Sequence, residues 1–329
     1  MTNLNQMRLD ECLADVKTVG ISGHVNPDGD SIGAVLAVYK YIRTYFPQIE
    51  ADAYAHNFPE NLRFLDMERE VLLEHRKEIT YDLFIALDCS EEARLGEALP
   101  YFQEAKRQIC IDHHITNEGF AGVNVVEPKT CSTCEILYGM LDPEKITKEI
   151  AECLYVGIVT DTGMFQYEAT TSKTMRIAGE LMDKGIDYPR IADRVFFSKT
   201  FNQLRAQGLA FSESHILYEG KVICAVVYKK DLDRLHLHRM DLDGVVSAMR
   251  SVDGVEVSLF MHEEDDGSFK LSLRSASYVD VAAIAQVFGG GGHVRAAGAT
   301  VQGKNGNIEE ILRQILEEIR KVIWTCEES

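Results

Sequence analysis

Short apolar runs alternate with longer amphipathic stretches along the first part of the chain, a rhythm typical of a parallel sheet covered by helices. This pattern predicts strands over residues 18–23, 49–55, 81–88 and 107–112, and helices over residues 31–46, 132–141, 145–160 and 172–184. We therefore expect an α/β fold whose N-terminal domain has a doubly wound parallel sheet.

The pattern changes in the second part of the chain. Residues 189–212 have a helical pattern without a strand, as expected of a linker. Beyond them the sequence predicts strands over 216–218, 222–228, 255–262 and 269–275, and helices over 244–250, 279–288 and 307–324. The last two strands meet at Asp265-Asp266-Gly267, a strong hairpin signal. The predicted organisation is a domain over 1–188, a helical linker over 189–212 and a smaller mixed α/β domain over 213–329.

The charge balance excludes one class of function. The 329 residues include 34 basic and 52 acidic ones, a net charge of −18, and most of the excess lies within residues 1–190. A broad basic surface for duplex DNA is therefore not expected, because phosphate neutralisation needs clustered Lys and Arg. The carboxylates could instead hold a divalent cation or simply keep the protein soluble.

The sequence favours a cytoplasmic protein. No apolar run approaches the roughly 20 residues that a membrane span needs. Residues 1–17 predict a short amphipathic helix, because Asp10, Glu11 and Asp15 do not fit a signal peptide. The eight dispersed cysteines suit buried thiols in a reducing compartment better than a disulfide framework.

Candidate chemistry begins directly after the first predicted strand. His24, Asp28 and Asp30 lie on a Pro/Gly turn at its carboxyl end, where open parallel sheets bind ligands. Imidazole and carboxylate ligands suit Mn²⁺ or Mg²⁺, with Zn²⁺ or Fe²⁺ as alternatives. The other interpretation of this segment is a solvated turn in which Asp30 or Ser31 caps the next helix.

Three more element ends carry similar residues. Asp88 ends the third predicted strand, Asp112-His113-His114 ends the fourth, and Asp161 ends an apolar helix. Together these positions supply enough oxygen and nitrogen ligands for two metals that share a carboxylate. That arrangement is used for in-line displacement at phosphorus.

Four consecutive glycines, residues 289–292, predict a loop near the C-terminus, because glycine inside a helix costs about 1 kcal/mol per residue. Backbone N–H groups in such a loop can cradle a phosphate. His293 and Arg295 follow it, and Arg274 ends a predicted strand with a bidentate phosphate donor.

With these motifs the chain resembles the DHH phosphoesterase superfamily. The Asp112-His113-His114 triplet carries the first half of the resemblance, and the stretch from Gly289 to Gly298 is similar to the signature of the associated DHHA1 domain. The likeness extends over essentially the whole chain. Its length resembles the short two-domain branch of nano-RNases and 3′-phosphoadenosine-5′-phosphate (pAp) phosphatases, without room for the extra nucleic-acid domain of the longer RecJ exonucleases.

The resemblance implies a role for each of these residues. Two Mn²⁺ ions per chain are expected, with Mg²⁺, Co²⁺ or Fe²⁺ as alternatives. One ion would be held by His24, Asp28 and Asp88, and the other by Asp30, Asp88, His113 and Asp161. His114 would contact the substrate phosphate or protonate the leaving oxygen, Asp112 would orient a ligand imidazole, and Asp88 would bridge the metals. The substrate would be bound by Arg274, Ser275, Gly290, Gly291, Gly292, His293 and Arg295.

The function implied by the resemblance is Mn²⁺-dependent hydrolysis of oligoribonucleotides of about 2–5 nucleotides and of pAp. Hydrolysis of cyclic di-AMP or its linear product pApA is an alternative, as is a RecJ-like single-strand exonuclease. A nucleotide sensor without turnover is disfavoured, because a sensor need not keep two metals. The expected partners are short single-stranded RNA or small nucleotides, with no duplex DNA and no membrane; a homodimer is also allowed.

Some residues outside these motifs have ordinary interpretations. Cys131 and Cys134 have the spacing of half a zinc site, but no second CxxC pair exists, and Ser132 or Thr133 suits a helix cap. Arg94 could reach a phosphate or be solvated. His262 is expected to be a surface or core residue.

Overall fold

The structure, a computed structural model, describes residues 7–66, 71, 79–302 and 308–324. The chain divides into two compact units, Met1–Ser198 and Lys199–Ser329. No helix in the described residues is long and apolar enough to cross a membrane.

The first unit is built on a parallel sheet, which in the described residues has five strands in the order β2-β1-β3-β4-β5. These strands are β1 (Thr18–Ser22), β2 (Glu50–Tyr54), β3 (Leu83–Leu87), β4 (Gln108–Asp112) and β5 (Val123–Val126). Its helices are α1 (Leu9–Cys12), α2 (Gly29–Tyr45), α3 (Leu99–Glu104), α4 (Thr133–Met140), α5 (Lys148–Asp161), α6 (Ser172–Met182) and α7 (Tyr188–Ala192). The predicted doubly wound α/β fold is confirmed.

The strand order determines where a ligand can bind. β1 pairs with β2 on one side and with β3 on the other, so the order reverses between β1 and β3. In open α/β sheets the crevice at such a reversal, outside the carboxyl ends of the strands, is the usual ligand site.

Helices α2 and α5 pack closely beside this crevice because each carries a glycine at the point of contact, Gly33 on α2 and Gly157 on α5. A Cβ at Gly33 would lie 2.4 Å from the Cys153 carbonyl oxygen, and one at Gly157 would lie 2.3 Å from the Cys134 sulfur and 2.6 Å from the Asp30 carboxylate. A side chain at either position would collide with these atoms. Glycine at both positions therefore allows α2, which carries Asp30, to lie against α4 and α5.

The second unit contains a mixed sheet, which within residues 199–302 has six strands in the order β10-β11-β9-β8-β7-β6. Its strands are β6 (His215–Leu217), β7 (Val222–Val227), β8 (Val257–Glu263), β9 (Ser268–Ser275), β10 (Gly291–His293) and β11 (Ala296–Gln302). Its helices are α8 (Phe201–Ser212), α9 (Lys229–Leu235), α10 (Val245–Arg250), α11 (Val281–Val287) and α12 (Ile308–Ile323). β7 and β8 are parallel and the other pairs are antiparallel, with the predicted hairpin joining β8 to β9.

Several elements differ from the sequence prediction. The glycine run is not a loop throughout, because β10 begins at Gly291 and pairs with β11. Strand β5 and helix α9 were not predicted. The helix expected over residues 1–17 is α1 alone, and residues 1–6 lie outside the described part of the chain, as does Asn307 before α12.

The predicted linker 189–212 is divided between the two units, because α7 belongs to the first and α8 to the second. The three-part division into 1–188, 189–212 and 213–329 stays a prediction.

Candidate metal centre

The polar residues predicted from the sequence meet at the reversal between β1 and β3. His24 and Asp28 lie between β1 and α2, and Asp88 directly follows β3. His113 directly follows β4, and Asp161 is the last residue of α5. Four separate elements thus bring ionisable side chains to one edge of the sheet.

The turn after β1 combines both roles that its sequence suggests. The Asp28 carboxylate caps α2 by accepting hydrogen bonds from the backbone N–H groups of Asp30 and Ser31, at 3.0 and 3.1 Å. The cap is thus Asp28, not Asp30 or Ser31 as proposed from the sequence. Its Oδ1 also lies 3.8 Å from His24 Nε2, so the same carboxylate faces a potential metal ligand.

Asp30 is fully buried at the N-terminus of α4. Its two carboxylate oxygens accept hydrogen bonds from the backbone N–H groups of Thr133 and Cys134, at 2.6 and 3.0 Å. Burial raises the pKa of Asp30 well above its usual value, and the charges of Asp88 and Asp161 raise it further. A divalent cation would supply the positive charge that this buried carboxylate lacks.

Asp88 occupies the centre of the site and is 2% exposed. Its Oδ2 lies 3.5 Å from His24 Nε2, and its Oδ1 lies 3.6 Å from His113 Nε2 and 3.7 Å from His114 Nδ1. Oδ2 thus faces His24 of one predicted ligand set and Oδ1 faces His113 of the other, as expected of a carboxylate that could bridge two ions.

Hydrogen bonds and charges within the cluster shift its pKa values strongly. Burial would lower the pKa of His113, but its hydrogen bond to Asp161 and the charge of Asp30 raise it to about 10. Burial would also lower the pKa of His24, but its hydrogen bonds to Asp28 and Asp88 raise it to about 10. Burial raises the pKa of Asp161 to about 6. Clustered shifts of this kind are typical of functional sites.

Ligand atoms in three groups of described residues lie within 4.8 Å of one another. The groups are His24, Asp28 and Asp88; Asp30, His113 and Asp161; and Asp88, His113 and His114. Carboxylate oxygens and imidazole nitrogens match the preferences of Mn²⁺, Mg²⁺ or Fe²⁺. The geometry thus brings together the first predicted ligand set and, apart from Asp88, the second, and metal binding by these residues stays a prediction.

Asp112 orients a different imidazole from the one expected. It is fully buried, and its Oδ1 lies 2.7 Å from Nδ1 of His114, not of the predicted ligand His113. Its Oδ2 accepts a 2.8 Å hydrogen bond from Asn117, which also donates to the Cys89 carbonyl oxygen. The hydrogen bond to Asp112 raises the pKa of His114.

Two neighbours of the site were not predicted as functional. Asn117 fixes Asp112, and the Thr133 hydroxyl donates to Asp88 Oδ1 at 3.3 Å. Ser132 caps α4, which confirms the helix-cap interpretation of the CxxC segment. Arg94, for which two interpretations were open, places a guanidinium nitrogen 3.2 Å from His24 Nδ1.

The second unit contains a groove of about 960 Å³. Among the residues predicted to bind substrate, Arg274, Gly290 and Gly291 line it. The Ser275 hydroxyl and an Arg295 guanidinium N–H both donate to the Val279 carbonyl oxygen, so these two side chains make internal contacts instead.

Gly292 and His293 were also predicted to bind substrate. Gly292 lies in β10, where a Cβ would come within 2.5 Å of the Ala296 carbonyl oxygen, so its glycine serves close strand packing. The backbone of His293 also belongs to β10, but its side chain lies outside the described part of the structure.

Comparisons with known proteins find similarity over most of the chain. Residues 18–158 match the DHH family, N-terminal domain, and residues 219–324 match the DHHA1 domain. The bifunctional oligoribonuclease and PAP phosphatase NrnA of Thermus thermophilus is 33% identical over 92% of this chain and 89% of its own length. The Bacillus subtilis protein of that name is 28% identical over 86% of this chain and 89% of its own length. A solved exopolyphosphatase-related protein from Bacteroides fragilis is 27% identical, with a TM-score of 0.86 and 96% of each chain covered.

Proposed function

Because this chain belongs to the DHH family of phosphoesterases, with a DHHA1 domain after its DHH domain, we propose that it hydrolyses short oligoribonucleotides and pAp. The relatives named as oligoribonuclease and PAP phosphatase support this substrate class. The observation that carries the proposal is the position of Asp88, which faces His24, His113 and His114 at the crevice of the sheet. DHH phosphoesterases depend on metal, and this cluster has the ligands for it.

In this proposal His24, Asp28 and Asp88 would hold one Mn²⁺ ion, and Asp30, Asp88, His113 and Asp161 would hold another. Bound divalent cations would supply Lewis-acid activation of the attacking water and neutralise charge on the phosphate. The protein residues hold the ligands in position. Backbone N–H groups of α4 fix Asp30, and the carboxylate of Asp28 is fixed by its role as the cap of α2.

His114 is the proposed proton donor to the leaving oxygen. It is partly exposed and lies next to the ligand set, and Asp112 holds its Nδ1 while Asn117 holds Asp112. This chain of hydrogen bonds leaves Nε2 of His114 directed away from Asp112 for contact with substrate. Proton transfer by a positioned imidazole contributes about 10²–10⁴-fold to a rate.

We propose a reducing, cytoplasmic environment and single-stranded substrates. The cysteines within the described residues are all free and buried, which suits a reducing compartment. A net charge of −18 disfavours a duplex DNA track.

The experiment is an assay of purified protein with and without Mn²⁺ against di- to pentaribonucleotides, pAp and cyclic di-AMP. We expect the short oligoribonucleotides and pAp to be hydrolysed, with loss of activity on chelation and recovery with Mn²⁺ but less with Ca²⁺. Full hydrolysis by the chelated enzyme would contradict the metal mechanism. Preference for cyclic di-AMP would replace the proposed substrate class.

A further inference from the structure

Arg94 lies beside the candidate metal centre, and neither the ligand sets nor the proton donor includes it. Its backbone carbonyl oxygen accepts a 2.8 Å hydrogen bond from the N–H of Val25, on the turn after β1. Gly96 lets the segment that carries Arg94 approach this turn, because its φ is +55° and a Cβ there would lie 2.3 Å from Val25 Cγ1. Arg94 is therefore held beside the crevice between β1 and β3, and it is exposed to solvent.

The imidazole of His24 cannot be the hydrogen-bond acceptor for Arg94 when His24 is a metal ligand. Nδ1 of His24 lies 2.9 Å from the Val25 carbonyl oxygen and 3.2 Å from an Arg94 guanidinium nitrogen. The carbonyl can only accept a hydrogen bond and the guanidinium can only donate one, so Nδ1 can satisfy only one of them. With Nε2 as the ligand atom, the ring proton is on Nδ1, which then donates to the carbonyl oxygen. The guanidinium is left without an acceptor at His24.

No carboxylate takes the place of that acceptor. Asp28 and Asp88 lie 3.8 and 3.5 Å from His24 Nε2, on the other side of the ring from the guanidinium. Within the part of the chain that the structure describes, Arg94 forms no ion pair with either of them or with any other acidic side chain. A guanidinium donates two parallel hydrogen bonds to a phosphate, which makes arginine the preferred residue for binding one.

The charge of the cluster explains why a phosphate would need this arginine. The two predicted ligand sets contain four carboxylates, those of Asp28, Asp30, Asp88 and Asp161. Their combined charge equals that of two divalent cations. A phosphate that approaches the loaded site therefore meets little net positive charge from the ligands and ions together. Arg94 adds a positive charge that does not depend on pH, because a guanidinium stays protonated in proteins.

We propose that Arg94 is a catalytic residue that hydrogen-bonds a non-bridging oxygen of the phosphate being hydrolysed. In phosphoryl transfer the charge is spread over these oxygens in the transition state, so a guanidinium beside them stabilises it. Of the two interpretations that the sequence leaves open for Arg94, this inference selects the phosphate contact. It rests on the proposed function, because it takes the substrate to be a phosphate ester bound at the candidate metal centre.

Arg94→Gln removes the charge at an exposed position, where the substitution should leave the fold intact. We expect kcat/KM for pAp and for a dinucleotide to fall together by about 10–100-fold, as the loss of a hydrogen bond to a charged group predicts. Arg94→Lys keeps the charge without the planar pair of donors and should recover part of the rate. Arg43→Gln is the matched control and should change neither substrate, because Arg43 is an exposed arginine in the last turn of α2, about 20 Å along the helix from Gly29.

Two binding measurements by calorimetry separate a phosphate contact from support of His24. Without substrate, Mn²⁺ should bind Arg94→Gln within about twofold of its affinity for wild type. Inorganic phosphate should bind the Mn²⁺-loaded variant about tenfold more weakly than Mn²⁺-loaded wild type. Weaker Mn²⁺ binding by Arg94→Gln would show that Arg94 positions His24 instead, and unchanged phosphate binding would overturn the contact.

The same measurements distinguish failure of this inference from failure of the proposed function. If wild-type protein bound phosphate in this Arg94-dependent way but hydrolysed neither pAp nor oligoribonucleotides, the proposed function would fail and the phosphate contact would stand. Full activity of Arg94→Gln on both substrates would remove the contact and leave the proposed function in place.

Discussion

Asp88 has a left-handed backbone conformation, with φ at +57°. Residues other than glycine seldom adopt this conformation, and such strain is concentrated at functional sites. The backbone N–H of Asp88 donates to the Ile111 carbonyl oxygen at 3.0 Å, which fixes the chain as it leaves β3. The strained turn directs the carboxylate toward His24 and His113 instead of along the sheet.

Asp88→Asn should remove the shared ligand while keeping the size of the side chain. We expect both cation sites to weaken and turnover to fall by more than about 100-fold, because even outer hydrogen-bond partners of metal ligands contribute 10–100-fold. Mn²⁺ binding by calorimetry and initial rates on a dinucleotide measure these effects. Asp52→Asn, another buried carboxyl on the same sheet, is the control; equal cation binding by both variants would show that Asp88 is not a ligand.

Thr133→Val should reveal whether the hydroxyl on Asp88 positions this ligand. Valine has the same shape but cannot donate the 3.3 Å hydrogen bond, so we expect about tenfold weaker Mn²⁺ binding. Thr133→Ser retains the hydroxyl and should restore binding close to wild type. If valine and serine bound Mn²⁺ alike, the hydroxyl would have no positioning role.

The candidate ligands were found from the sequence because each ends an apolar run or lies on the turn that follows one. Asn117 and Thr133 gave no such signal. Thr133 contacts Asp88, 45 residues earlier in the chain, and Asn117 supports Asp112 from a turn after β4. Contacts of this kind depend on how β3, β4 and α4 converge, which the local sequence pattern does not contain.

At the level of secondary structure elements, the glycine run shows why a loop was expected and strands were found. Glycine is uncommon in strands, because it has no side chain to pack. Here the missing Cβ permits close approach to β11, since a Cβ at Gly290, directly before β10, would lie 2.1 Å from the Gly298 carbonyl oxygen. The glycines at 290 and 292 therefore allow a backbone approach that a side chain would block.

Gly290→Ala should destabilise this hairpin, because the new methyl group meets backbone atoms that cannot move aside. Overpacking of this kind costs about 1–3 kcal/mol. Gly291→Ala is the matched control for stability, since no atom lies within 4 Å of a Cβ there. Chemical denaturation should show a lower free energy of unfolding for Gly290→Ala alone, and equal values for both variants would contradict the close packing.

Asp82 ties the start of β3 to the start of β1. Its carboxylate accepts hydrogen bonds from the backbone N–H groups of Lys17 and Thr18, at 2.9 and 3.2 Å, and from Lys106 at 2.7 Å. The Lys106 contact is the main cause that lowers the pKa of Asp82 to about 2. Because the folded pKa lies below the unfolded one, this group stabilises the fold above about pH 4, and the effect is lost as the pH falls toward about 2.

Asp82→Asn should therefore lower the free energy of unfolding by about 1–2 kcal/mol at pH 7, less than a fully buried charged contact would contribute. The difference from wild type should shrink between about pH 4 and pH 2. Denaturation at a series of pH values measures it. Asp183→Asn, an exposed residue at the end of α6, should show no such dependence, and a difference that persisted at pH 2 would exclude the charge as its cause.

At the scale of the whole molecule, the sequence indicated which residues cluster at the candidate metal centre more completely than it indicated the strands of the two sheets. An alternation of strands and helices predicts a parallel sheet, in which the carboxyl ends of the strands lie at one edge. β5 has four residues and β10 has three, so neither gives a clear periodic signal. Such short edge strands form because a longer neighbour offers its hydrogen bonds, which is a property of the assembled sheet.

The overall charge leads to a prediction about substrate length. A net charge of −18 disfavours a long basic track for a polymer, so the hold on RNA away from the metal centre should be limited to a phosphate near Arg274. With a single phosphate contact there, its contribution to the slope of log binding constant against log salt should be about −0.7. Initial rates should be highest for dimers to about tetramers, fall steeply for longer chains and be negligible for duplex DNA. A labelled length series and a salt titration measure both; equal rates on a dimer and a twenty-mer, with a slope several times steeper, would indicate a polymer-binding nuclease instead.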